Sequence, residues 1–310
     1  MRTRVLVLPV AVVAAAVLGA CSASTSSSAP TTTSAEKGAP ATVNPSTETG
    51  LTFDPGYRLQ PSDFGVPAGQ PVADVSVIQL PDGSVRAYVF AQGKGIVSAT
   101  SKDGITFTPE PGVRLRDGNG MPRAMRQPDG SLLLFAISGG GVNGWTSTDG
   151  LTFTQQANNR INPPAGVPQI SGVSTPVRTK DGRWRVYFSD LPIPGEGPKP
   201  HTVYSAVSPD LATWTVEPGT RIGGGTTVAS GEHPDAIAAD DGTVTMYFFV
   251  NNPMDLWSAT SDDGLTFSNA QALKLNCNDP SVLQRADSVR KMYCGQFKEG
   301  LGGVVLSATL

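Results

Sequence analysis

One seven-residue phrase occurs four times in the chain: Ser-Lys-Asp-Gly-Ile-Thr-Phe at 101–107, Ser-Thr-Asp-Gly-Leu-Thr-Phe at 147–153, Ser-Pro-Asp-Leu-Ala-Thr-Trp at 208–214 and Ser-Asp-Asp-Gly-Leu-Thr-Phe at 261–267. Self-similarity at intervals of roughly 50 residues marks supersecondary units that bury their faces only against one another. A second repeat interleaves with the first. Asp82, Asp129, Asp181, Asp241 and Asp287 each open a turn, and six residues later stand Tyr88, Phe135, Tyr187, Tyr247 and Tyr293. Gly follows the Asp in four cases and Ser288 in the fifth. Asp-Gly between two apolar runs is a strong hairpin signal. The second repeat therefore counts five units.

Each unit reads as four short strands, a to d. In the first these are Asp74–Leu80, Val85–Phe90, Ile96–Thr100 and Ile105–Thr108, and later units begin at Met121, Val173, His233 and Asp279. Helix-period patterns are absent, and β-rich runs alternate with Gly and Pro turn signals. Four-stranded units repeated radially make an all-β, five-bladed β-propeller. The last unit stops after its third strand, at Val304–Thr309, with no Asp-Gly-Leu-Thr-Phe behind it. That piece stands at the other end of the body, as Gly50-Leu51-Thr52-Phe53 followed by Asp54-Pro55-Gly56-Tyr57-Arg58-Leu59. Residues 51–54 are therefore expected to supply the outer strand of the fifth blade, closing the ring and covering an open sheet edge.

The residues before the body have a different composition. Arg2 and Arg4 precede an apolar run from Val5 to Leu18, and Leu18-Gly19-Ala20-Cys21 follows. A basic start, a short apolar core and small residues at a cut site read as an export signal over 1–20. The Leu-Gly-Ala-Cys ending resembles the bacterial lipoprotein signal. The resemblance implies that Cys21 is acylated and becomes the mature N-terminus, anchoring the protein to the bilayer at the outer face of the cell membrane. An ordinary secretory signal with an incidental cysteine is the alternative. Residues 21–48, rich in Ser, Thr, Ala and Pro, cannot bury enough surface to fold and read as a tether. Residues 49–310 form the propeller. Cys277 and Cys294 flank the hairpin at Asp287, and an exported chain is expected to join them in a disulfide.

The formal net charge is −3, with no basic cluster, which argues against a nucleic-acid partner. A monomer is expected. The recurring Ser-x-Asp-Gly-x-Thr-Phe resembles the Asp-box of the sialidase superfamily, in which Asp and Ser brace a turn between outer strands. Asp103, Asp149 and Asp263 are accordingly structural, through Asx-turn chemistry. Sialidases of that superfamily have six blades and an arginine triad, and Arg123, Arg126 and Arg178 form no recognisable triad.

Ligands usually enter a propeller where the inner strands begin. Eight residues before each turn Asp stand Asp74, Met121, Val173, His233 and Asp279; six before it stand Ser76, Arg123, Thr175, Asp235 and Ser281. Glu232 precedes His233. The position four before it is apolar in every unit and reads as core. Asp74, Glu232 and the phrase Asp279-Pro280-Ser281 are similar to five-bladed glycoside hydrolases of the arabinanase, β-xylosidase and invertase type. The resemblance implies Glu232 as acid, Asp74 as base and Asp279 as the orienting carboxylate, with Ser76, Arg123, His233 and Asp235 binding a carbohydrate. The pattern departs from that family in offering Met121 and Val173 on blades 2 and 3, and in the cyclic order of its acids. No cofactor is needed for such chemistry. His233, Asp235, Asp279 and Asp74 could instead converge on Ca²⁺ or another divalent ion. The long Pro/Gly loop from Asp190 to His201 reads either as a wall of the site or as a tolerated insertion. A non-catalytic binding propeller remains the competing class, since fold does not decide function.

Overall fold

The computed structural model describes residues 51–191, 200–251, 254–286 and 289–310. The expected signal over 1–20, Cys21 and the tether to residue 48 lie outside the described residues, as do the loop residues 192–199 and the turn residues Asp287 and Ser288. All described residues fall within the unit Thr42–Leu310.

Five antiparallel sheets follow one another along the chain. Blade 1 contains strands Val72–Gln79, Val85–Ala91, Gly95–Ser101 and Thr108–Pro109; blade 2 contains Gly120–Arg126, Leu132–Ser138, Gly141–Ser147 and Thr154–Ile161. Blade 3 starts with the interrupted inner pieces Ile170–Val173 and Val177–Arg178, then Trp184–Asp190, Val203–Ser208 and Thr215–Val216. Blade 4 contains Glu232–Ala238, Val244–Val250, Asp255–Ser261 and Ser268–Ala272; blade 5 contains Asn278–Gln284, Arg290–Lys298 and Gly302–Thr309. Helix is confined, among the described residues, to one 3-10 turn at Pro61–Phe64. The chain is a five-bladed β-propeller of four-stranded blades.

The fourth strand of blade 5 comes from the start of the body. Phe53 pairs with Ala308 and Leu59 with Val305, both antiparallel. Asp54 N donates to Ser307 O at 2.7 Å, and Arg58 N to Val305 O at 2.7 Å. The Asp54 carboxylate then accepts from Lys291 Nζ at 2.8 Å and from Ser307 Oγ at 2.5 Å. Cys277 and Cys294 sit at disulfide distance in the same blade, with Cα atoms 5.9 Å apart.

Local chemistry explains both repeats. In the hairpin turns, Asp82 accepts from Ser84 N, Asp129 from Ser131 N, Asp181 from Arg183 N and Asp241 from Thr243 N, at 2.9–3.1 Å. In the seven-residue phrase, Asp103 Oδ1 accepts from Ser101 Oγ at 2.7 Å and from the N–H groups of Ile105 and Thr106 at 2.8 Å. Asp149 and Asp263 do the same. That turn draws in Ile105 and Thr106, so the outer strand of blade 1 begins at Thr108 rather than at Ile105.

The two repeats lock together across blade boundaries. The Tyr88 hydroxyl donates to Gly150 O in the next blade at 2.9 Å, Tyr187 to Gly264 O at 2.9 Å, and Tyr293 to Gly104 O at 3.0 Å. Each tyrosine also meets the phrase's aromatic edge-to-face: Tyr88 with Phe153, Tyr187 with Phe267, Tyr293 with Phe107. Such pairs add about 0.5–1.5 kcal/mol beyond their area burial. A Cβ on Gly264 would lie 3.0 Å from the Tyr187 hydroxyl and 2.7 Å from Arg185 Nη1, so this turn position excludes a side chain. Where Leu211 replaces the glycine, the preceding blade carries Phe135, which has no hydroxyl. There the Asn159 amide donates to Leu211 O at 2.8 Å and accepts from Trp214 Nε1 at 2.9 Å.

Candidate functional site

The inner strands all begin at one end of the ring, beside the ends of their second strands: Val72 pairs with Ala91, Glu232 with Phe249 and Asn278 with Gly295. Just inside that end every inner strand slips register, between Ala73 and Ser76, Gly120 and Arg123, Ile170 and Gly172, Glu232 and Asp235, and Asn278 and Ser281. A bulge re-aims the side chain at its extra residue. The residues at four of these bulges have positive φ: Asp74 at 57°, Met121 at 51°, His233 at 44° and Asp279 at 52°. Only seven non-glycine residues among those described adopt positive φ, so more than half of this strain lies at one position of the repeat. Each such residue costs on the order of 1–3 kcal/mol, and strain of this kind clusters at functional sites.

Three of those four side chains meet. His233 Nδ1 contacts Asp279 Oδ1 directly. Asp74 lies close enough to Asp279 that each shifts the other's proton affinity. Met121 N donates weakly to Asp74 Oδ2 at 3.4 Å. His233 packs into space left by Gly172 of blade 3, where a Cβ would lie 2.7 Å from the His233 Cα, and its ring stands edge-on to Phe249 at 5.2 Å. Its backbone N–H donates to Ser189 Oγ at 3.0 Å.

The shared burial splits the protonation states. Burial and the neighbouring Asp279 carboxylate push Asp74 up to about 7. Burial also opposes charge on Asp279, but His233 outweighs it and holds that carboxyl below its usual range. Burial works against charge on His233 as well, yet Asp279 and then Asp74 hold its imidazole above the ordinary value. Near neutral pH the cluster holds an ion pair, Asp279 with His233, beside a carboxyl, Asp74, poised between its protonated and ionised forms.

Glu232 stands next to this cluster, 7 % exposed. Its Oε1 accepts from Asn251 Nδ2 at 2.6 Å and lies 3.1 Å from His201 Nε2. Burial raises its carboxyl above the usual range, against the pull of His201, His233 and Asn251. The structure therefore gathers Asp74, Glu232, His233 and Asp279 at one end of the ring, and it adds His201 and Gly172. Both were missed as site residues in sequence: His201 lies across a long loop from its partners, and Gly172 acts only through the space it leaves. That the chain's only two histidines both fall near this end was the available signal.

Ser76, Arg123 and Asp235 do different work. Ser76 Oγ accepts from Ala124 N at 2.9 Å, tying blade 1 to blade 2. Asp235 accepts from Thr175 N and Val282 N, each at 2.8 Å, joining blades 3, 4 and 5. Arg123 donates to Val75 O at 2.7 Å and Pro280 O at 2.8 Å, bridging blades 2, 1 and 5. All three are at most 1 % exposed. The position six before the turn is thus a ring of braces beneath the bulges, which holds the bulged residues in register. Asp235 is committed to backbone N–H groups, and among the described residues no group of three or more His, Cys, Asp or Glu side chains is spaced to hold a metal ion. A cleft of 610 Å³ lies at the opposite end of the ring, against Lys180, Asp241 and Gln284, away from the carboxyl cluster.

No protein-family model matches the chain, and no curated protein matches it by sequence. Solved structures do match it in fold. A family 117 glycoside hydrolase of the marine bacterium Zobellia galactanivorans aligns with a TM-score of 0.63 at 14 % identity, covering 84 % of this chain and 89 % of that one. An endo-arabinase of Bacteroides thetaiotaomicron aligns at 0.57 and 15 % identity, covering 77 % and 96 %. An exo-β-1,3-galactanase of Phanerochaete chrysosporium, crystallised with β-1,3-galactotriose, aligns at 0.61 and 11 % identity, covering 82 % of this chain and 64 % of that one. At these identities the likeness concerns the fold: this chain has the propeller that these glycoside hydrolases are built on.

Proposed function

We propose that this protein is an exported, lipid-anchored, carbohydrate-active propeller that cleaves glycosidic bonds at the end of the ring where the bulges lie. The observation that carries the reading is the gathering of three carboxyls from blades 1, 4 and 5 in unequal protonation states, two of them on strained bulges and Glu232 beside a third, above a ring of braces. Pairs of titratable groups driven apart by their surroundings mark acid and base assignments. The structural neighbours named as glycoside hydrolases, one of them with a bound galactotriose, support the substrate class.

Glycoside hydrolysis needs two carboxyls across the scissile bond, about 6.5–9.5 Å apart for inversion or about 5–5.5 Å for retention. Asp74 and Asp279 lie in one buried cluster and shift each other's proton affinity, so they do not make a pair set across a sugar. The group across the bond is therefore Glu232. In this reading Glu232 gives its proton to the glycosidic oxygen as the bond to the anomeric carbon breaks. Asp74, as carboxylate, takes a proton from the water that attacks that carbon. A base whose proton affinity lies near the working pH is well matched to this step. Asp279, fixed by His233, holds Asp74 in place.

The test is a leaving-group comparison on a panel of oligosaccharides and 4-nitrophenyl glycosides. Glu232→Gln should lose about 10²-fold or more on unactivated oligosaccharides, and far less on nitrophenyl glycosides, whose leaving group needs no proton. Asp74→Asn should lose both. Glycan binding by wild type without turnover of any substrate would reject hydrolysis and leave a non-catalytic carbohydrate binder.

A further inference from the structure

His201 stands two residues before the third strand of blade 3, Val203–Ser208, and is tied down at several atoms. Its backbone N–H donates to Ser230 Oγ at 3.0 Å, and the next N–H, of Thr202, donates to Asp190 Oδ1 at 2.9 Å. The ring Nδ1 lies 3.3 Å from Asp190 O and 3.5 Å from Asp190 Oδ1. Nε2 lies 3.1 Å from Glu232 Oε1 in blade 4. Both neighbours of Nδ1 are acceptors, so Nδ1 carries a hydrogen. The contact between Nε2 and Oε1 then requires one more proton. It sits either on Glu232, beside a neutral imidazole, or on His201, beside a carboxylate. The side chains of Asp190, His201 and Glu232 are 21 %, 15 % and 9 % exposed, so water screens them weakly.

We propose that Asp190, His201 and Glu232 form a proton relay into the carboxyl site, with His201 a positioning residue that holds Glu232 and replaces the proton it gives up. What the proton is used for rests on the reading above; the shared proton does not. When Glu232 passes the shared proton to a leaving oxygen, it is left as a carboxylate beside a neutral imidazole with hydrogen on Nδ1. Water then protonates Nε2, and the shared proton is restored. One proton leaves the pair through Glu232, and one enters it from solvent through His201.

The electrostatics agree. Burial opposes charge on His201, but Asp190 and Glu232 together hold the imidazole above its ordinary value. Glu232 faces His201, His233, Asn251 and Asp279, and burial still holds it above the usual carboxyl range. Both groups thus hold a proton more tightly than they would in water, so the pair keeps its shared proton to higher pH.

The experiment is a ¹³C/¹H NMR pH titration of the imidazole resonances of the full chain, without substrate. Two histidines give two resonances, and His201→Gln assigns them. Glu232→Gln should lower the His201 midpoint by about one unit, a tenfold loss of proton affinity. A midpoint that moves by less than about 0.3 unit overturns the relay. Asp190→Asn should shift it in the same direction, and provides the measurement if Glu232→Gln does not fold. In kinetic assays His201→Gln keeps a donor near the Nε2 position but cannot titrate; a lowered kcat at unchanged KM with an altered pH profile supports the relay, and an unchanged pH profile overturns it. Intact NMR coupling in a protein that turns over no glycoside leaves the relay standing and rejects only the cleavage reading.

Discussion

Replacing Asp74 by Asn should stabilise the protein, and only at the upper end of the pH range. In the folded state the carboxyl's pKa rises from 3.8 to about 7. Between those values the native protein binds a proton that the unfolded chain has released. Stability therefore falls as pH climbs through this window and levels off above it. At about 1.4 kcal/mol per pKa unit, the full cost of the ionised Asp74 is on the order of 4 kcal/mol. Asn reproduces the protonated form, with an amide to donate toward Asp279 and a carbonyl to accept from Met121 N, but it cannot ionise. The attraction of His233 is already contained in that rise, so a gain of about 4 kcal/mol at pH 8 is expected, or roughly 8–12 °C in Tm for a body of this size. At pH 4.5 the two proteins should melt within about a degree of each other. The assay is calorimetry of wild type and Asp74→Asn at half-unit steps from pH 4.5 to 8.5. A Tm difference that stays flat with pH, or a variant less stable than wild type at pH 8, would refute the account of the cluster. A stabilised but inactive Asp74→Asn is the usual signature of a site held in an unfavourable state for function.

Other consequences follow from the packing. Tyr187→Phe strands the Gly264 carbonyl and should cost about 1–3 kcal/mol in thermal or denaturant melts. Tyr247→Phe, whose hydroxyl meets the exposed Arg290 side chain rather than a turn glycine, should cost clearly less; equal losses would contradict the interlock. Deleting residues 49–60 removes the strand that pairs with Val305 and Ala308 and should lower Tm far more than deleting 22–45. Matching melting temperatures for the two deletions would reject the closure. Gly172→Ala puts a Cβ 2.7 Å from the His233 Cα, so the His233 imidazole resonance should shift while the far-UV spectrum holds; an unmoved resonance would show that His233 does not depend on that space.

Much of the fold was readable because its signals are local. Asp-Gly turns, the six-residue step to an aromatic and the orphan Leu-Thr-Phe at residue 51 depend on short-range chemistry, which a single chain displays. The site was readable in part for a different reason. Asp74, His233 and Asp279 share one place in the repeat, and only the repeat reveals that they are equivalent. Their positive φ was not legible, because a non-glycine residue adopts it only when tertiary structure compels it. Ser76, Arg123 and Asp235 show the converse limit. A polar side chain on an inner strand looks the same in sequence whether it meets a ligand or a neighbouring backbone, and only the 2.7–2.9 Å contacts to Val75, Pro280, Ala124, Thr175 and Val282 tell which. His201 was hidden by distance along the chain, since nothing local links it to Glu232.

The contacts between tyrosines and turn glycines also specify which blade can sit beside which. Blades 1, 3 and 5 each present a hydroxyl and need a bare glycine next to them, which blades 2, 4 and 1 supply. Blade 3 brings Leu211 instead, and tolerates only a neighbour like blade 2, with Phe135 and the substitute amide of Asn159. Setting blade 3 after blade 1 would drive the Tyr88 hydroxyl against the leucine. The blades are therefore not interchangeable parts, although their sheets are nearly so. Neighbour order is encoded at the boundaries, which gives a folding ring of similar units a physical means of rejecting a misplaced one.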